Sequence, residues 1–287
     1  MDRFYIITNT MKDRELMVTR KIAEYLTSHG KVCRVRDVAG EDRSGDYHYT
    51  DAEQIPDDTE CILVLGGDGT LLQAARDTVE KGIPLFGINL GTLGYLAEVG
   101  RKGIYPALDH LMEDRYEIEH RIMLNGKVYR RGVLLKEDIA LNDIVISRSG
   151  APRVVRFNNY INGTYLNSYS ADGIIIATPT GSTGYSLSAG GPLISPAASL
   201  LLMTPLAPHT LNSRSVVFPS DDTITVEIGP GRDEREEHGM ASFDGDTTVE
   251  MVTGDKIIIS KSKKDTRIVK ISNISFLETL REKMGNN

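Results

Sequence analysis

The stretch Cys61-Ile62-Leu63-Val64-Leu65-Gly66-Gly67-Asp68-Gly69-Thr70-Leu71 decides how the first half of the chain is read. An unbroken apolar run closed by glycine predicts a strand buried on both faces, as in a parallel sheet. Leu71 to Val79 then carries a helical pattern, so the glycines fall between the carboxyl end of a strand and the start of a helix. Open α/β sheets bind their ligands at that edge. Three glycines around one acid let the backbone turn sharply and come close to a ligand, with N–H groups and the helix N-terminus facing it. Asp68 is the single charged side chain of the loop. Two readings stand open: Asp68 touches whatever binds there, or it only caps the helix beside turn glycines.

Working outward, Phe4 to Thr8 reads as a strand, Glu15 to Ser28 as an amphipathic helix stopped by Gly30, and Lys31 to Val38 as a second strand. Ile83 to Ile88 is again strand-like and Lys102 to Glu113 helical. This alternation predicts a doubly wound, Rossmann-like α/β domain over residues 1–115 with right-handed crossovers. Glu41 to Glu60 interrupts it with eight acids, one base (Arg43) and no periodicity. That composition suits a solvated loop or, alternatively, a lid over a ligand.

Near residue 115 the pattern changes. Short alternating runs follow, among them Ile139 to Ser147, Val154 to Asn159, Gly173 to Ala177, Ser215 to Phe218, Ile224 to Ile228 and Lys256 to Ser260. Turn signals separate them at Asn125-Gly126, Asn162-Gly163, Gly229-Pro230-Gly231, Asp244-Gly245 and Gly254-Asp255. Period-2 alternation with such spacing predicts an all-β domain over residues 116–271. The tail, Ser275 to Met284, reads as a helix, and residues 272–287 are expected to pack back on the first domain.

Composition bounds the function. The 287 residues carry a net charge of −7, with 40% hydrophobic and 25% charged residues, enough to build a core and too acidic for a general nucleic-acid binder. An anionic ligand remains compatible, because clustered backbone N–H groups bind phosphate on an acidic protein. Cys33 and Cys61 lack CxxC spacing, which argues against a disulfide scaffold or a structural zinc site. No run of 18 apolar residues occurs and the N-terminus lacks a signal-like apolar stretch, so a soluble cytoplasmic protein without membrane or nucleic-acid partners is expected. A Walker A loop, a dinucleotide Gly-x-Gly-x-x-Gly fingerprint, an HExxH motif and a Gly-x-Ser-x-Gly elbow are all missing. A phosphate chain at Gly66–Thr70 would therefore rest on backbone groups, hydroxyls and a metal.

Three further stretches carry chemistry. Gly87-Ile88-Asn89-Leu90-Gly91-Thr92-Leu93-Gly94-Tyr95-Leu96 follows the next strand and occupies the adjacent loop, as a structural turn or a second wall of the site. Thr178 to Pro192 holds six Ser/Thr hydroxyls, Tyr185 and no charge, after Ala171-Asp172-Gly173 and a strand. It reads as a poor core segment rich in hydrogen-bonding groups, with Tyr185 able to lie on a base, or as a Ser/Gly-rich surface loop. Asn142-Asp143 interrupts an apolar strand pattern and needs partners, from a turn, a bulge or a ligand.

Together these blocks resemble the NAD kinases. The likeness rests on Gly66-Gly67-Asp68-Gly69-Thr70, on Gly87-Ile88-Asn89 with Gly91-Thr92-Leu93-Gly94-Tyr95, on Asn142-Asp143, on the block from Asp172 to Pro192, and on Pro205-Leu206-Ala207-Pro208-His209-Thr210-Leu211. GGDGT alone is shared with diacylglycerol and sphingosine kinases and 6-phosphofructokinases; the long hydroxyl-rich block separates them. The resemblance implies transfer of the γ-phosphoryl of ATP, or of polyphosphate in some members, to the adenosine 2′-hydroxyl of NAD, in a site between the two domains. It implies Mg²⁺ on the donor phosphates and a homo-oligomer, dimer or tetramer.

By position, Asp68 would bind NAD and take the proton of that hydroxyl. Gly69, Asn142, Asp143, Asp172, Thr180 and the run Thr183, Gly184, Tyr185, Ser186, Leu187, Ser188 would bind NAD. Gly66, Gly67, Gly69, Thr70 and Arg76 would hold the ATP phosphates. Arg153 and Ser170 fall at family positions of variable residue type, and Asn89, Ala207 and Asp246 complete the candidates. The chain departs from the family at Gly184, usually Ala, and at Asp246, where an acid replaces a Gln. A carboxylate there accepts but does not donate, and repels a nearby phosphate. Two other readings stand beside this one: a lipid kinase sharing the loop, unsupported by any membrane-binding segment, and a non-catalytic NADP(H)-binding sensor, which would not need Asp68.

Overall fold

The structure is a computed structural model and describes residues 1–36, 50–91, 94–150, 154–209, 213–231, 234–272 and 276–285. Part of the expected acidic loop (41–49), the end of the second strand (37–38), Thr92-Leu93, Arg153, Thr210-Leu211 and Ser275 lie outside the described residues. The chain divides into two units, Met1–Arg121 with Asp265–Asn287, and Ile122–Lys264.

In the first unit, β1 (Arg3–Thr8), β2 (Val32–Val35), β3 (Cys61–Gly66) and β4 (Leu85–Asn89) pair in parallel in the order β4-β3-β1-β2, with the two-residue β5 (Val99–Gly100) beside β4. Every residue of β3 is buried, as its unbroken apolar run requires of a central parallel strand. The connecting helices are α1 (Met17–Ser28), α2 (Asp68–Thr78) and α3 (Ile104–Met112). The apolar faces of α1 and α3 join the sheet in a core of Phe4, Ile6, Ile22, Leu26, Leu63, Leu65, Phe86, Leu108 and Leu111. Because the strands are parallel, the loops after Thr8, Gly66 and Asn89 leave from the same edge. Helix α1 starts two residues later than the periodicity predicts, because Glu15 and Leu16 adopt left-handed φ of 58° and 55° and break the helical path.

The second unit contains the part of β6 (Glu117–Arg130) from Ile122 onward, then β7 (Val133–Ala140), β8 (Asp143–Arg148), β9 (Val155–Ile161), β10 (Thr164–Ala171) and β11 (Gly173–Ala177). The single-turn α4 (Tyr185–Ser188) precedes β12 (Leu200–Leu206), β13 (Val216–Pro219), β14 (Ile224–Ile228), β15 (His238–Phe243), β16 (Thr247–Val252) and β17 (Lys256–Lys270). One antiparallel sheet runs β13-β12-β11-β8-β15-β16; β10-β9-β14-β17 pair antiparallel as well, and β6 and β7 form a hairpin. Ile144, Ile146, Ile174 and Ile176 of the first set meet Phe157, Val226, Ile257 and Ile259 of the second in one core. Residues from Asp265 on, including the end of β17 and α5 (Phe276–Met284), belong to the first unit, where Ile268 aligns with Leu85. There the buried Glu98 carboxylate accepts from the backbone N–H groups of Ile271 and Ser272, holding the tail residues in place.

One turn expectation and one strand expectation are corrected. Asn125-Gly126 lies inside β6, and the chain reverses instead at Arg131-Gly132, with φ of 50° and 81°. Gly126 is glycine because a Cβ there would come within 2.7 Å of the Phe243 ring and 2.8 Å of Ile144. The run Ile139 to Ser147 is not one strand: β7 ends at Ala140 and β8 begins at Asp143, with Leu141-Asn142 between them. By contrast Asn162-Gly163 (φ 51° and 79°) and Asp244-Gly245 (φ 51° and 77°) are hairpin turns as read.

Candidate active site

The first unit gathers three strand-end loops. Asp68 opens α2, and its Oδ2 accepts from the Tyr95 N–H at 2.7 Å while Oδ1 accepts from Leu96 N–H at 3.3 Å. Gly94 lies against this carboxylate so closely that any Cβ there would run into it. The two loops singled out in the sequence are therefore one assembly, in which the second orients the acid of the first. Thr70 Oγ1 accepts from Gly67 N–H at 3.4 Å and from Asn9 Nδ2 at 3.2 Å, which sets the first turn of α2. Asn89, at the end of β4, shapes the neighbouring turn by accepting from Gly91 N–H at 2.7 Å. A Cβ on Gly69 would meet nothing within 4 Å, so open space faces the backbone there. Arg76 sits eight residues farther along α2, a rise of about 12 Å from Asp68, and is not part of the loop itself.

The second unit brings Asn142-Asp143 and the hydroxyl-rich block together. Thr178 N–H donates to Asn142 O at 2.9 Å and Thr178 Oγ1 to Leu141 O at 2.6 Å. A Cβ on Gly184 would lie 3.4 Å from Asn142 Nδ2 and 3.7 Å from Asp143 Oδ2. Asn142 Oδ1 is itself buried and makes no hydrogen bond within the protein.

The block itself differs from the expectation of a poor core segment. Thr178, Thr180, Ser182 and Ser186 are buried. Their hydroxyls serve the fold: Ser182 Oγ donates to Pro179 O, Thr183 Oγ1 to Thr180 O, and Ser186 Oγ pairs with Thr204 Oγ1 at 3.1 Å. Short helical turns bring the Ser182 and Thr183 hydroxyls back to carbonyls three residues earlier, while Thr178 and Ser186 bond to Leu141 and Thr204 outside the segment. Tyr185, Leu187 and Ser188 are the members of Thr183–Ser188 that remain exposed.

Asp143 shares its surroundings with a residue the sequence reading treated only as a turn. Asp244 accepts from the backbone N–H groups of Leu141 (2.7 Å), Asn142 (2.8 Å) and Asp143 (3.0 Å), and so holds the 141–143 bend from a hairpin a hundred residues away. Burial, and then the Asp244 charge, push the Asp143 carboxyl up to about 7. A folded-state value above the unfolded one means that the folded protein keeps this proton longer. Stability is then free of the penalty below pH about 4, falls as pH rises toward 7, and is level above it. We expect Asp143→Asn to gain on the wild type by about 2–4 kcal/mol at pH 8 and to lose that advantage at pH 4. Denaturant melts of both proteins at the two pH values test this; an advantage independent of pH contradicts it.

The remaining candidates are scattered over the same unit. Asp172, at the β10–β11 junction, is ion-paired with Arg148 at 2.8 Å. Ser170 O accepts from His209 N–H at 2.8 Å, and Ala207 takes a left-handed φ of 41° nearby in the chain. Asp246 is half-buried in the β15–β16 turn, its N–H donating to Phe243 O. Arg153 lies outside the described residues. Sequence reasoning missed Asp244, whose role no local spacing reveals, and also Lys12. The loop after β1 brings the Lys12 Nζ to 2.6 Å from where a Cβ of Gly67 would stand. Its position after a strand on the same sheet edge was the available signal.

A glycine loop and one oriented carboxylate at the carboxyl edge of a parallel sheet suit a protein of the nucleotide-binding kind. Comparison with known proteins makes this particular. Residues 4–116 match the ATP-NAD kinase N-terminal domain and residues 141–271 the ATP-NAD kinase C-terminal domain. The NAD kinase of Lachnospira eligens is 47% identical over 298 residues, covering 99% of this chain and 100% of its own. That of Agathobacter rectalis is 47% identical over 286 residues, covering 100% and 99%. Among solved structures, yeast NADH kinase complexed with NADH superposes with a TM-score of 0.83 at 28% identity, covering 100% of this chain and 88% of that one. An NAD kinase from Archaeoglobus fulgidus in complex with ATP shares the fold, with a TM-score of 0.73 at 23% identity over 99% and 97% of the two chains. The chain belongs to the NAD kinase family, and its activity is the ATP-dependent phosphorylation of NAD.

Proposed function

We propose that the phosphoryl acceptor is the 2′-hydroxyl of the adenosine ribose of NAD, and that Asp68 takes its proton as the oxygen attacks the γ-phosphorus of ATP. The new O–P bond forms as the bond to the β-phosphate bridging oxygen breaks, leaving ADP and NADP. The observation that carries this is the Asp68 carboxylate itself: the one acid of the loop, at the edge where ligands bind, oriented by two backbone N–H groups. Those bonds use two of the roughly four acceptor directions of a carboxylate and leave others for a hydroxyl. A secondary hydroxyl is a very weak acid, so a positioned base contributes about 10²–10⁴ in rate.

NAD is held, on this reading, by the second unit. The exposed Tyr185 offers a ring face for a base, next to Gly184, which packs on the Asn142-Asp143 bend. Asp143, Asp172, Ser170, Thr180, Thr183, Gly184 and Leu187 surround these positions in the chain, and Ser186 supports them from beneath. The phosphates of ATP lie against Gly66–Thr70, where Gly69 leaves room. Among the described residues no group of three or more His, Cys, Asp and Glu side chains gathers as a metal site. The single loop carboxylate fits a Mg²⁺ that arrives on ATP with phosphate oxygens and water as its main ligands, supplying charge neutralisation when bound.

No helix among the described residues is long and apolar enough to cross a membrane. We place the enzyme in the cytoplasm, in keeping with its two free cysteines, and as a homo-oligomer, for which the exposed Val133, Leu134 and Leu135 of β7 offer an apolar surface. The sedimentation mass of the purified chain reads the second point directly. The acceptor site is tested by incubating the protein with NAD, ATP and Mg²⁺ and offering the product to an NADP-specific dehydrogenase. Full turnover of the product supports the 2′ position; a phosphorylated NAD that the dehydrogenase refuses contradicts it.

A further inference from the structure

The glycine loop carries no cation, yet it faces a donor with about four negative charges. We propose that Lys12 supplies the missing charge, its ammonium holding the ATP triphosphate against Gly66–Thr70; this rests on the kinase reading above. The geometry is specific. A Cβ added to Gly67 would stand 2.6 Å from Lys12 Nζ, and one added to Gly91 would stand 4.0 Å from it. The ammonium thus hangs over the backbone of both glycine loops, beside the N-terminus of α2, where phosphate oxygens find the helix N–H groups. At Gly67 a side chain would compete with the ammonium for the same space, whereas a Cβ at Gly91 would make only ordinary contact with it.

The segment that carries Lys12 is built to hold it there. Asn9 N–H donates to Leu65 O at 2.8 Å, and Asn9 Oδ1 accepts from Met11 N–H at 3.0 Å. Lys12 and Asp13 both donate their N–H groups to Asn9 O at 3.0 Å, closing a tight turn directly after β1. Asn9 Nδ2 reaches Thr70 Oγ1, tying this turn to the glycine loop. Arg101 clamps the other side: its Nε donates to Leu90 O at 3.1 Å and its Nη2 to the carbonyl of Lys12 at 3.3 Å. The buried Asp13 anchors the start of α1 through Val18 N–H, Thr19 N–H and Thr19 Oγ1. A solvent-facing lysine at a random surface position needs none of this.

The charge is also chemically apt. An ammonium on a flexible stem neutralises phosphate as a point charge without demanding a fixed fork geometry. The attraction grows toward the transition state, as charge shifts onto the oxygens of the transferring group and the leaving ADP. NAD carries a pyrophosphate of its own, so the same ammonium chemistry has a second possible source. Placement over Gly67, at the head of the donor loop, assigns it to ATP.

The test compares wild type, Lys12→Met, which keeps the length and removes the charge, and Lys12→Arg. We expect Lys12→Met to lower kcat/KM for ATP by about 10²–10³, in the range seen for lost transition-state donors. NAD affinity should stay within about twofold, and Lys12→Arg should recover most of the loss as a conserved charge does. Equilibrium binding of MgATP without NAD should weaken about tenfold or more in the Met variant, the scale of a single lost charge-assisted contact. ATP affinity and kinetics unchanged in Lys12→Met overturn the proposal, as does a loss that appears in NAD affinity alone. A wild-type protein that binds ATP but makes no NADP would sink the kinase reading, and the ATP-binding arm would still decide the role of Lys12.

Discussion

Asp68→Asn is expected to lower kcat by about 10²–10⁴ while leaving NAD affinity within a few-fold of wild type. The amide keeps the size and planarity of the carboxylate, and its oxygen can still accept from Tyr95 N–H at the position of Oδ2. It cannot take a proton at neutral pH. The barrier to transfer then rises by about 3–5 kcal/mol, because the 2′-hydroxyl must lose its proton to water or to phosphate instead. Since NAD is held on this account mainly through Asn142, Asp143 and Tyr185, the ground-state complex should survive. A parallel fall in NAD affinity would move Asp68 from proton transfer to substrate binding.

Gly181→Ala should be the most damaging single methyl in the second unit. Its Cβ would overlap the carbonyl oxygen of Asn142 and stand 2.5 Å and 2.8 Å from the carbonyl carbon and Cα. The neighbour is backbone and has no rotamer to move. That carbonyl also accepts from Thr178 N–H, so displacement costs a buried hydrogen bond as well as overpacking. Taking about 1–3 kcal/mol for each term, the variant should lose about 3 kcal/mol or more. At this size the loss corresponds to a drop in Tm of about 6–12 °C. NAD affinity should fall at least tenfold with it, because Asn142 Oδ1 and Asp143 shift together. Calorimetry and equilibrium NAD binding check both halves; a variant with wild-type Tm and affinity contradicts the tight junction between residues 142 and 181.

The fold was legible where one physical signal had one reading. Cys61 to Leu65 is apolar without interruption, and only a two-face-buried strand of ordinary length satisfies that before a glycine. Asp68 was legible for a similar reason, as a single charge among glycines at a strand end. Asn125-Gly126 misled because glycine answers two needs: it permits a turn, and it also lets Phe243 and Ile144 pack onto a strand. The Thr178-to-Ser188 stretch left a hydrogen-bonding segment and a Ser/Gly-rich surface loop both open, and Ser182 and Ser186 prove to be buried and bonded within the protein. Residue type reports that a hydroxyl will bond, not with what.

Asp244 and Lys12 show where a linear reading stops. Asp244 supports the Asn142-Asp143 bend through three N–H groups about a hundred residues away, and nothing in its own neighbourhood marks it apart from other turn acids. Lys12 stands by Gly67 because β1 and β3 pair in parallel with Thr8 opposite Leu65. That register, rather than any motif, brings the two loops together.

The central claim, that Asp68 takes the proton during phosphoryl transfer, is tested most directly by a chemical-quench single turnover. Enzyme in excess over NAD, with saturating MgATP, reads the transfer step free of product release, which limits kcat in many enzymes. The account predicts that Asp68→Asn slows this single-turnover rate by about 10² or more with NAD fully bound. A rate within about threefold of wild type under those conditions would contradict it.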